Sequence, residues 1–201
     1  GQKLPGTYNI MMGTQTGRWN QGNHNLFMGY YAGHGSSANA MSPGSENIGL
    51  GSSALQSFIS GSQNTAVGRW ALLSNTNGSN STALGQQAGA YTTGSYNTFV
   101  GSEAGKGGTT SAPFSSGQYN TAVGYEALKV FTTGGGNVAL GSGAGKALTT
   151  GGSNTIIGSE AGRDENVSHH DMAQERYRNR TMHYEWLQNR DLRWCILYFN
   201  F

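Results

Sequence analysis

The sequence predicts an all-β fold: a parallel β-roll or β-helix solenoid of nine repeats, followed by a short C-terminal helix and strand. The first observation is the motif G-x-x-N-x-x-x-G-x-x-A-[G/L], which the chain carries nine times at spacings of 16 to 23 residues. The second is composition, since 33 glycines with 35% hydrophobic and 11% charged residues do not describe one globular core. A solenoid fits both observations, because stacked repeats share one continuous core.

Both glycines of the motif are present in every copy, whereas Ser81 replaces the asparagine in the fifth copy. Glycine suits turns with positive φ. Asparagines stacked through successive turns are expected to form a ladder of amide hydrogen bonds. The ladder residues are Asn9, Asn25, Asn47, Asn64, Asn97, Asn120, Asn137 and Asn154.

The residues after each asparagine alternate as in a β-strand. Residues one and three positions after the asparagine, such as Thr65 and Val67, are assigned to the interior of the solenoid. The residue between them, Ala66 in the same repeat, is mostly small or apolar, so a neighbouring chain is expected to cover this second face. Strands ~4.8 Å apart would give nine turns a length on the order of 40 Å. Two insertions, at residues 34–43 and 106–116, are expected to bulge from the rod.

Composition changes near Gly162 and divides the chain into a repeat shaft, residues 1–162, and a C-terminal segment, residues 163–201. The second part has six arginines, six acidic residues and no glycine. Ser168 and Asp171 fit a capping box, and the residues after them up to 189 are predicted to form a helix. Residues 192–201 are predicted to form an apolar strand that caps the shaft or docks to the next component of an assembly.

The repeats resemble those of two groups of trimeric surface proteins. The segments Asn64-Thr65-Ala66-Val67-Gly68 and Asn120-Thr121-Ala122-Val123-Gly124, with the joint Thr92-Thr93-Gly94, are similar to head repeats of trimeric autotransporter adhesins and more closely to arrays in bacteriophage tail fibres. The resemblance covers most of residues 6–162. It implies a homotrimer of β-rolls, located in the virion as a tail fibre or at the cell surface. Its expected partners are other copies of itself, other fibre or baseplate proteins, and a host cell-surface glycan or protein.

Surface contact is assigned to aromatic and polar residues that follow the second motif glycine. Amphipathic rings make good contact surfaces, although the same side chains also suit packing against the joints or neighbouring chains. The candidates are Tyr30, Tyr31, Arg69, Trp70, Tyr125 and Glu126.

His169 and His170 are the only candidates for a metal site, because imidazoles from three copies meeting on a trimer axis suit a transition metal. Surface histidines without a ligand are the favoured alternative, since the segment has no H-x-H pair. Ser168, His169 and Asp171 supply the residue types of a hydrolytic triad, but adjacency in sequence is not the required geometry. We therefore expect no enzymatic activity and no cofactor.

Several classes of function are disfavoured by simple counts. The net charge of +2 is too small to indicate a nucleic-acid partner, and no apolar stretch approaches the ~18 to 20 residues of a membrane-spanning helix, so no membrane insertion is expected. The single cysteine, Cys195, excludes an intrachain disulfide. Two functions remain: a structural and host-binding component of a phage tail fibre, or alternatively a bacterial adhesin head or self-assembling extracellular filament subunit.

Overall fold

A computed structural model describes residues 6–35, 42–108 and 114–163, together with the backbone of strands at 171–177, 180–189 and 192–197. The predicted all-β solenoid is confirmed: nine parallel strands form about eight turns, and the described residues contain no helix. The central parts of both insertions, residues 36–41 and 109–113, lie outside the described residues. The solenoid strands are β1 Ile10–Met12, β2 Leu26–Met28, β3 Ile48–Leu50, β4 Thr65–Val67, β5 Thr82–Leu84, β6 Thr98–Val100, β7 Thr121–Val123, β8 Val138–Leu140 and β9 Thr155–Ile157.

Equivalent motif positions lie directly above one another along the solenoid. Thr65, for example, pairs with Ile48 on one side and with Thr82 on the other. Each motif position therefore forms a column of side chains parallel to the long axis. The joints contribute two isolated bridges, Asn20 to Ser42 and Thr92 to Ser115, and no second strand among the described joint residues.

The assignment of the two strand faces from the sequence is wrong. The central residue of each strand from β2 to β9 is buried in the solenoid, as Phe27, Ala66 and Ile156 show within a single chain, whereas Met11 of the end strand β1 is exposed. The two neighbours of each central residue point outward, and Thr65 and Val67 are only half-buried. The strands are three residues long, and the chain turns back immediately after them, so only the middle side chain faces the enclosed side. The narrow interior also explains why this position is small in most repeats.

Large and small residues compensate for one another inside this narrow core. Phe27 fills the interior of the second turn, and a Cβ added to Gly33 or Gly49 would lie 2.3 or 2.9 Å from its ring. In the fourth turn the central residue is Ala66, and Leu72 is fully buried in the same turn. In these two turns a large side chain at one position thus accompanies a small residue at another, as close packing requires.

The two motif glycines are present for different reasons. The second glycine has a positive φ, which is 132° at Gly68, and this conformation is strained for other residues. The first glycine lies outside the left-handed region, and the expectation of a positive φ there is wrong. A Cβ on Gly22 would lie 1.7 Å from the carbonyl oxygen of Gly44, so this position requires glycine because adjacent turns approach closely.

The predicted C-terminal helix is wrong, because its residues form strands β10, Asp171–Tyr177, and β11, Arg180–Asn189. Strand β10 pairs in parallel with β9, and β11 then pairs antiparallel with β10. The last turn of a solenoid leaves unpaired N–H and C=O groups, and pairing with this edge overrides local helix propensity. The predicted final strand is present as β12, Leu192–Leu197, antiparallel to β11.

Candidate functional site

The predicted contact residues lie in two adjacent columns that follow the second motif glycine. Tyr30, Arg69 and Tyr125 occupy the first column. The second holds Tyr31, Trp70 and Glu126, all in the left-handed region with φ of 57°, 63° and 57°. Tyr31 and Trp70 are two turns apart, or about 10 Å, and Glu126 lies three turns further on. The six residues therefore share one surface but do not form one site.

The first local group is an aromatic cluster formed by Trp19, Tyr30, Tyr31 and His34. The ring centroids of Tyr30 and Tyr31 are 4.5 Å apart, and Tyr31 stacks on His34 at 4.7 Å. Trp19 meets His34 edge-on at 6.5 Å, with the Arg18 guanidinium 4.7 Å from the tryptophan ring. Sequence reasoning missed Trp19 and His34, because both lie in variable joints outside the repeated motif.

Arg69 and Trp70 contact each other. The Arg69 guanidinium lies 3.9 Å from the centroid of the Trp70 ring. A cation held over an indole face is stabilised by the ring quadrupole. The guanidinium also covers that ring face, so the pair presents less free aromatic surface than the sequence indicates.

Glu126 belongs to a ladder of ion pairs that crosses three turns. Its Oε1 lies 2.5 Å from Lys129 Nζ, and its Oε2 lies 2.5 Å from Lys146 Nζ. Lys129 also pairs with Glu103 at 2.7 Å, and Glu103 pairs with Lys106 at 3.4 Å. Hydrogen bonds from Lys129 and Lys146 lower the pKa of Glu126 to about 2. Hydrogen bonds to Glu103 and Glu126 raise the pKa of Lys129 to about 12.

Glu126→Gln is expected to reduce stability at neutral pH by an amount that shrinks in acid. The folded protein favours the charged carboxylate, so the contribution is complete above the ordinary pKa of 4.5 and is lost as pH falls toward about 2. Urea unfolding of wild type and variant at pH 7, 4 and 2 measures this difference. Glu46→Gln removes an exposed carboxylate outside the ladder and is the control. A difference between wild type and Glu126→Gln that stays constant down to pH 2 would contradict the interpretation.

The motif asparagines connect each turn to the next. The side-chain oxygen of Asn120 accepts a hydrogen bond from the backbone N–H of Asn137 at 3.0 Å, and its amide donates to the carbonyl of Gly134 at 3.0 Å. Most contacts are thus between a side chain and the backbone of the next turn. Amide-to-amide bonds occur in addition at three steps of the ladder. Ser81 continues the ladder, since its hydroxyl accepts from the N–H of Asn97 at 3.2 Å.

A second ladder, which sequence reasoning missed, lies two residues before the asparagine and is named here the serine column. From Thr7 to Ser79, each backbone N–H in this column donates to the side-chain oxygen of the equivalent residue in the next turn, at 2.7 to 3.0 Å. The residues joined in this way are Thr7, Asn23, Ser45, Ser62, Ser79 and Ser95. The available signal was a short hydroxyl or amide side chain at this position in the first six repeats, followed by Gln118, Gly135 and Gly152.

The residue immediately before each asparagine forms a third outward column, named here the tyrosine column. Every member has a positive φ between 56° and 70°. Tyr8 stacks on His24 with centroids 4.9 Å apart. Tyr96 stacks on Tyr119 at 5.0 Å with their planes only 2° apart, and both rings are exposed.

The outward residues of the nine solenoid strands form a continuous uncharged face, named here the apolar face and defined as the positions one and three after the asparagine. Thirteen of its eighteen residues are apolar and five are threonines. No position on this face is charged. Eight of the fourteen exposed large hydrophobic residues belong to it. These eight are Ile10, Met12, Met28, Ile48, Leu84, Val138, Leu140 and Ile157.

Other kinds of site receive no support from the part of the chain that the structure describes. Within it, no group of three or more histidine, cysteine, aspartate or glutamate side chains is placed to hold a metal ion. Ser168, His169 and His170 lie outside the described residues. Among the described segments, none forms a helix with the length and hydropathy needed to cross a membrane.

The chain has no match among protein-family models, curated proteins or solved structures.

Proposed function

We propose that the chain is a non-enzymatic, homotrimeric rod that serves as a structural and surface-binding component of an extracellular fibre of the phage tail-fibre type. The observation that carries the proposal is the apolar face. In a single chain this face is exposed or half-buried along all nine turns, and contiguous apolar patches of such length mark association surfaces. A soluble protein with this surface needs a partner to cover it.

A second copy of the same chain fits this surface. The face repeats once per strand spacing and has no charge, so its partner must be equally long, apolar and built with the same period. A parallel copy in register meets these conditions, because each column then faces a column of the same kind. We propose three chains per oligomer because the repeats resemble those of trimeric surface proteins.

The surface-binding part of the proposal rests on aromatic side chains outside the apolar face. The Tyr30 and Tyr125 rings are more than half exposed, and the aromatic cluster lies beside the first insertion. Tyrosine and tryptophan provide large contact areas with few rotatable bonds. We propose that these aromatic side chains bind a host cell-surface glycan or protein, and that the ends of the rod bind other fibre or baseplate proteins.

The oligomeric state provides the direct test. Sedimentation equilibrium of the purified chain is expected to give about three times the protomer mass of 21.2 kDa. Leu84→Lys places a charge on the apolar face and should yield folded monomers. Gln86→Lys adds the same charge in the same turn on an outward column away from that face, and should leave the trimer intact. A monomeric wild-type chain would exclude the trimeric rod.

An adhesin head or a self-assembling filament subunit is the second candidate. It is favoured by the sheet order, in which β1 and β12 are the two end strands and each has a single neighbour within the described sheet. Such edges can pair with another chain. Polymers that grow with concentration, and that disappear when residues 192–201 are deleted, would favour the filament over the discrete fibre.

A further inference from the structure

We propose that the sixth to eighth turns carry a saccharide-binding site, formed by the open ring face of Tyr119 and by the backbone N–H groups of Ser95, Gln118 and Gly135. Two independent features coincide there. In the serine column, Ser95 is followed by Gln118 and Gly135, which have no hydroxyl, and in the tyrosine column Tyr119 is followed by Gly136, which has no side chain. The proposal deepens the surface-binding part of the proposed function by naming the class of ligand and the residues that bind it.

The first feature is a row of hydrogen-bond donors without protein acceptors. Up to Ser79, each N–H of the serine column donates to the side chain of the next turn, as Ser79 does to Ser95 Oγ at 3.0 Å. Beyond that point the next residues are Gln118, Gly135 and Gly152, which have no hydroxyl. Among the described residues, the N–H groups of Ser95, Gln118 and Gly135 donate to no acceptor.

The backbone at these turns keeps the orientation of the earlier turns. The carbonyl oxygen of Ser62 accepts the N–H of Asn80 at 3.0 Å, and the carbonyl of Gln118 likewise accepts the N–H of Gly136 at 2.9 Å. The equivalent bond from Ser153 to Gly135 is also 2.9 Å. The three free N–H groups therefore form a row, spaced by about 4.8 Å, along a partly exposed surface.

The second feature is an uncovered aromatic face. One face of Tyr119 stacks on Tyr96, and the next residue of the tyrosine column is Gly136. A Cβ built on Gly136 would find its nearest neighbour, Ser153 Oγ, 3.6 Å away. Gly136 keeps the left-handed φ of its column, at 70° beside 59° for Tyr119, so the column continues without a side chain. Room for one further ring remains above Tyr119, which is 63% exposed.

A sugar ring has both properties that a ligand of this surface needs, an apolar face and hydrogen-bond acceptors at its edge. One face of a pyranose is lined with C–H groups and can lie on the tyrosine ring, which offers a flat apolar surface. Its hydroxyl and ring oxygens lie at the edge and can accept hydrogen bonds from the N–H groups, which have donor capacity only. A few placed polar groups beside an apolar surface are typical of small-ligand sites. The ligand thereby takes the place of the missing serine hydroxyls and the missing aromatic side chain.

The test uses the intact purified chain on an array of immobilised neutral and sialylated oligosaccharides. Gly136→Tyr extends the tyrosine column into the gap, and other residues of this column already adopt its positive φ. Both Gly136→Tyr and Tyr119→Ala are expected to reduce binding of the recognised saccharide at least tenfold, with unchanged circular dichroism. Tyr8→Ala removes an exposed ring of the same column at the other end of the rod and should bind as wild type does.

The outcomes separate this proposal from the proposed function. Saccharide binding that survives both Gly136→Tyr and Tyr119→Ala overturns the site, as does a wild-type chain that binds no saccharide of the array. Neither result affects the trimer, which sedimentation measures independently. A monomeric chain that binds saccharide through Tyr119 would support the site and exclude the trimeric rod, because all groups of the site come from one chain.

Discussion

Ala66→Asp is expected to prevent the chain from folding into a continuous rod. Ala66 is fully buried at the centre of β4, between Gly49 and Ala83 of the adjacent strands. A carboxylate at this position has no room and no cationic partner among its strand neighbours. An unpaired buried charge costs several kcal/mol, which is comparable with the whole stability of a typical domain, roughly 5 to 15 kcal/mol. Circular dichroism and thermal unfolding measure the loss of the fold.

Val67→Asp is the matched control for that experiment, because it introduces the same charge at the next residue. Val67 points outward onto the apolar face and is half-buried in the single chain. The variant is expected to retain its β-structure and to sediment as a monomer, since the charge lies where another copy would pack. If Val67→Asp unfolded the chain while Ala66→Asp did not, the strand faces would be the reverse of those in the structure.

Asn120→Leu is expected to have the second largest effect, a loss of about 2 to 6 kcal/mol in the free energy of unfolding. Leucine leaves the carbonyl of Gly134 and the N–H of Asn137 without their present partners in a buried part of the ladder. Each buried unsatisfied group costs about 1 to 3 kcal/mol. Urea unfolding followed by circular dichroism provides the measurement.

Asn120→Ser tests whether this loss comes from the hydrogen bonds. Ser81 already occupies the ladder, and its hydroxyl accepts from the next N–H at 3.2 Å. A serine at position 120 should therefore keep the hydrogen bond from the N–H of Asn137 but not the one to the carbonyl of Gly134, and should lose about half as much stability as leucine does. Equal losses for both variants would mean that the amide acts through its volume and not through its hydrogen bonds.

The strand faces show how far a periodic pattern can be interpreted. In the repeat that contains Val67, each of the two alternating faces carries an apolar side chain, Ala66 on one and Val67 on the other, so hydrophobicity alone does not distinguish a core from an association surface. Side-chain size is a signal in the five repeats whose inward residue is glycine or alanine, such as Ala66 and Ala122, but Phe27 and Phe99 occupy the same inward position in other repeats. The same limit applies to Glu126 and Arg69. Glu126 pairs with lysines that lie outside the motif, and Arg69 contacts Trp70, which occupies a variable position within it.

The serine column and the tyrosine column were recognisable in principle, since both are repeated positions. Ser45, Ser62, Ser79 and Ser95 occupy one motif position, and the hydroxyl there is of a kind that accepts a backbone N–H. The gap beside Tyr119, in contrast, is not a repeated position. It exists because Gly136 lies next to the Tyr119 ring, and only the register of the two turns shows that these residues are neighbours.

Periodicity alone establishes the solenoid, the nine strands and the columns of equivalent residues, because a motif of fixed length must repeat the same local structure wherever it occurs. Only the folded chain decides which strand face is enclosed, why each glycine is required, and that residues 171–189 form strands. These features depend on contacts between residues that are 16 or more positions apart, such as the pairing of Asp171 with Thr155 at the open end of the sheet. Local propensity carries no information about such an edge, and its unpaired hydrogen-bonding groups favour strand over helix.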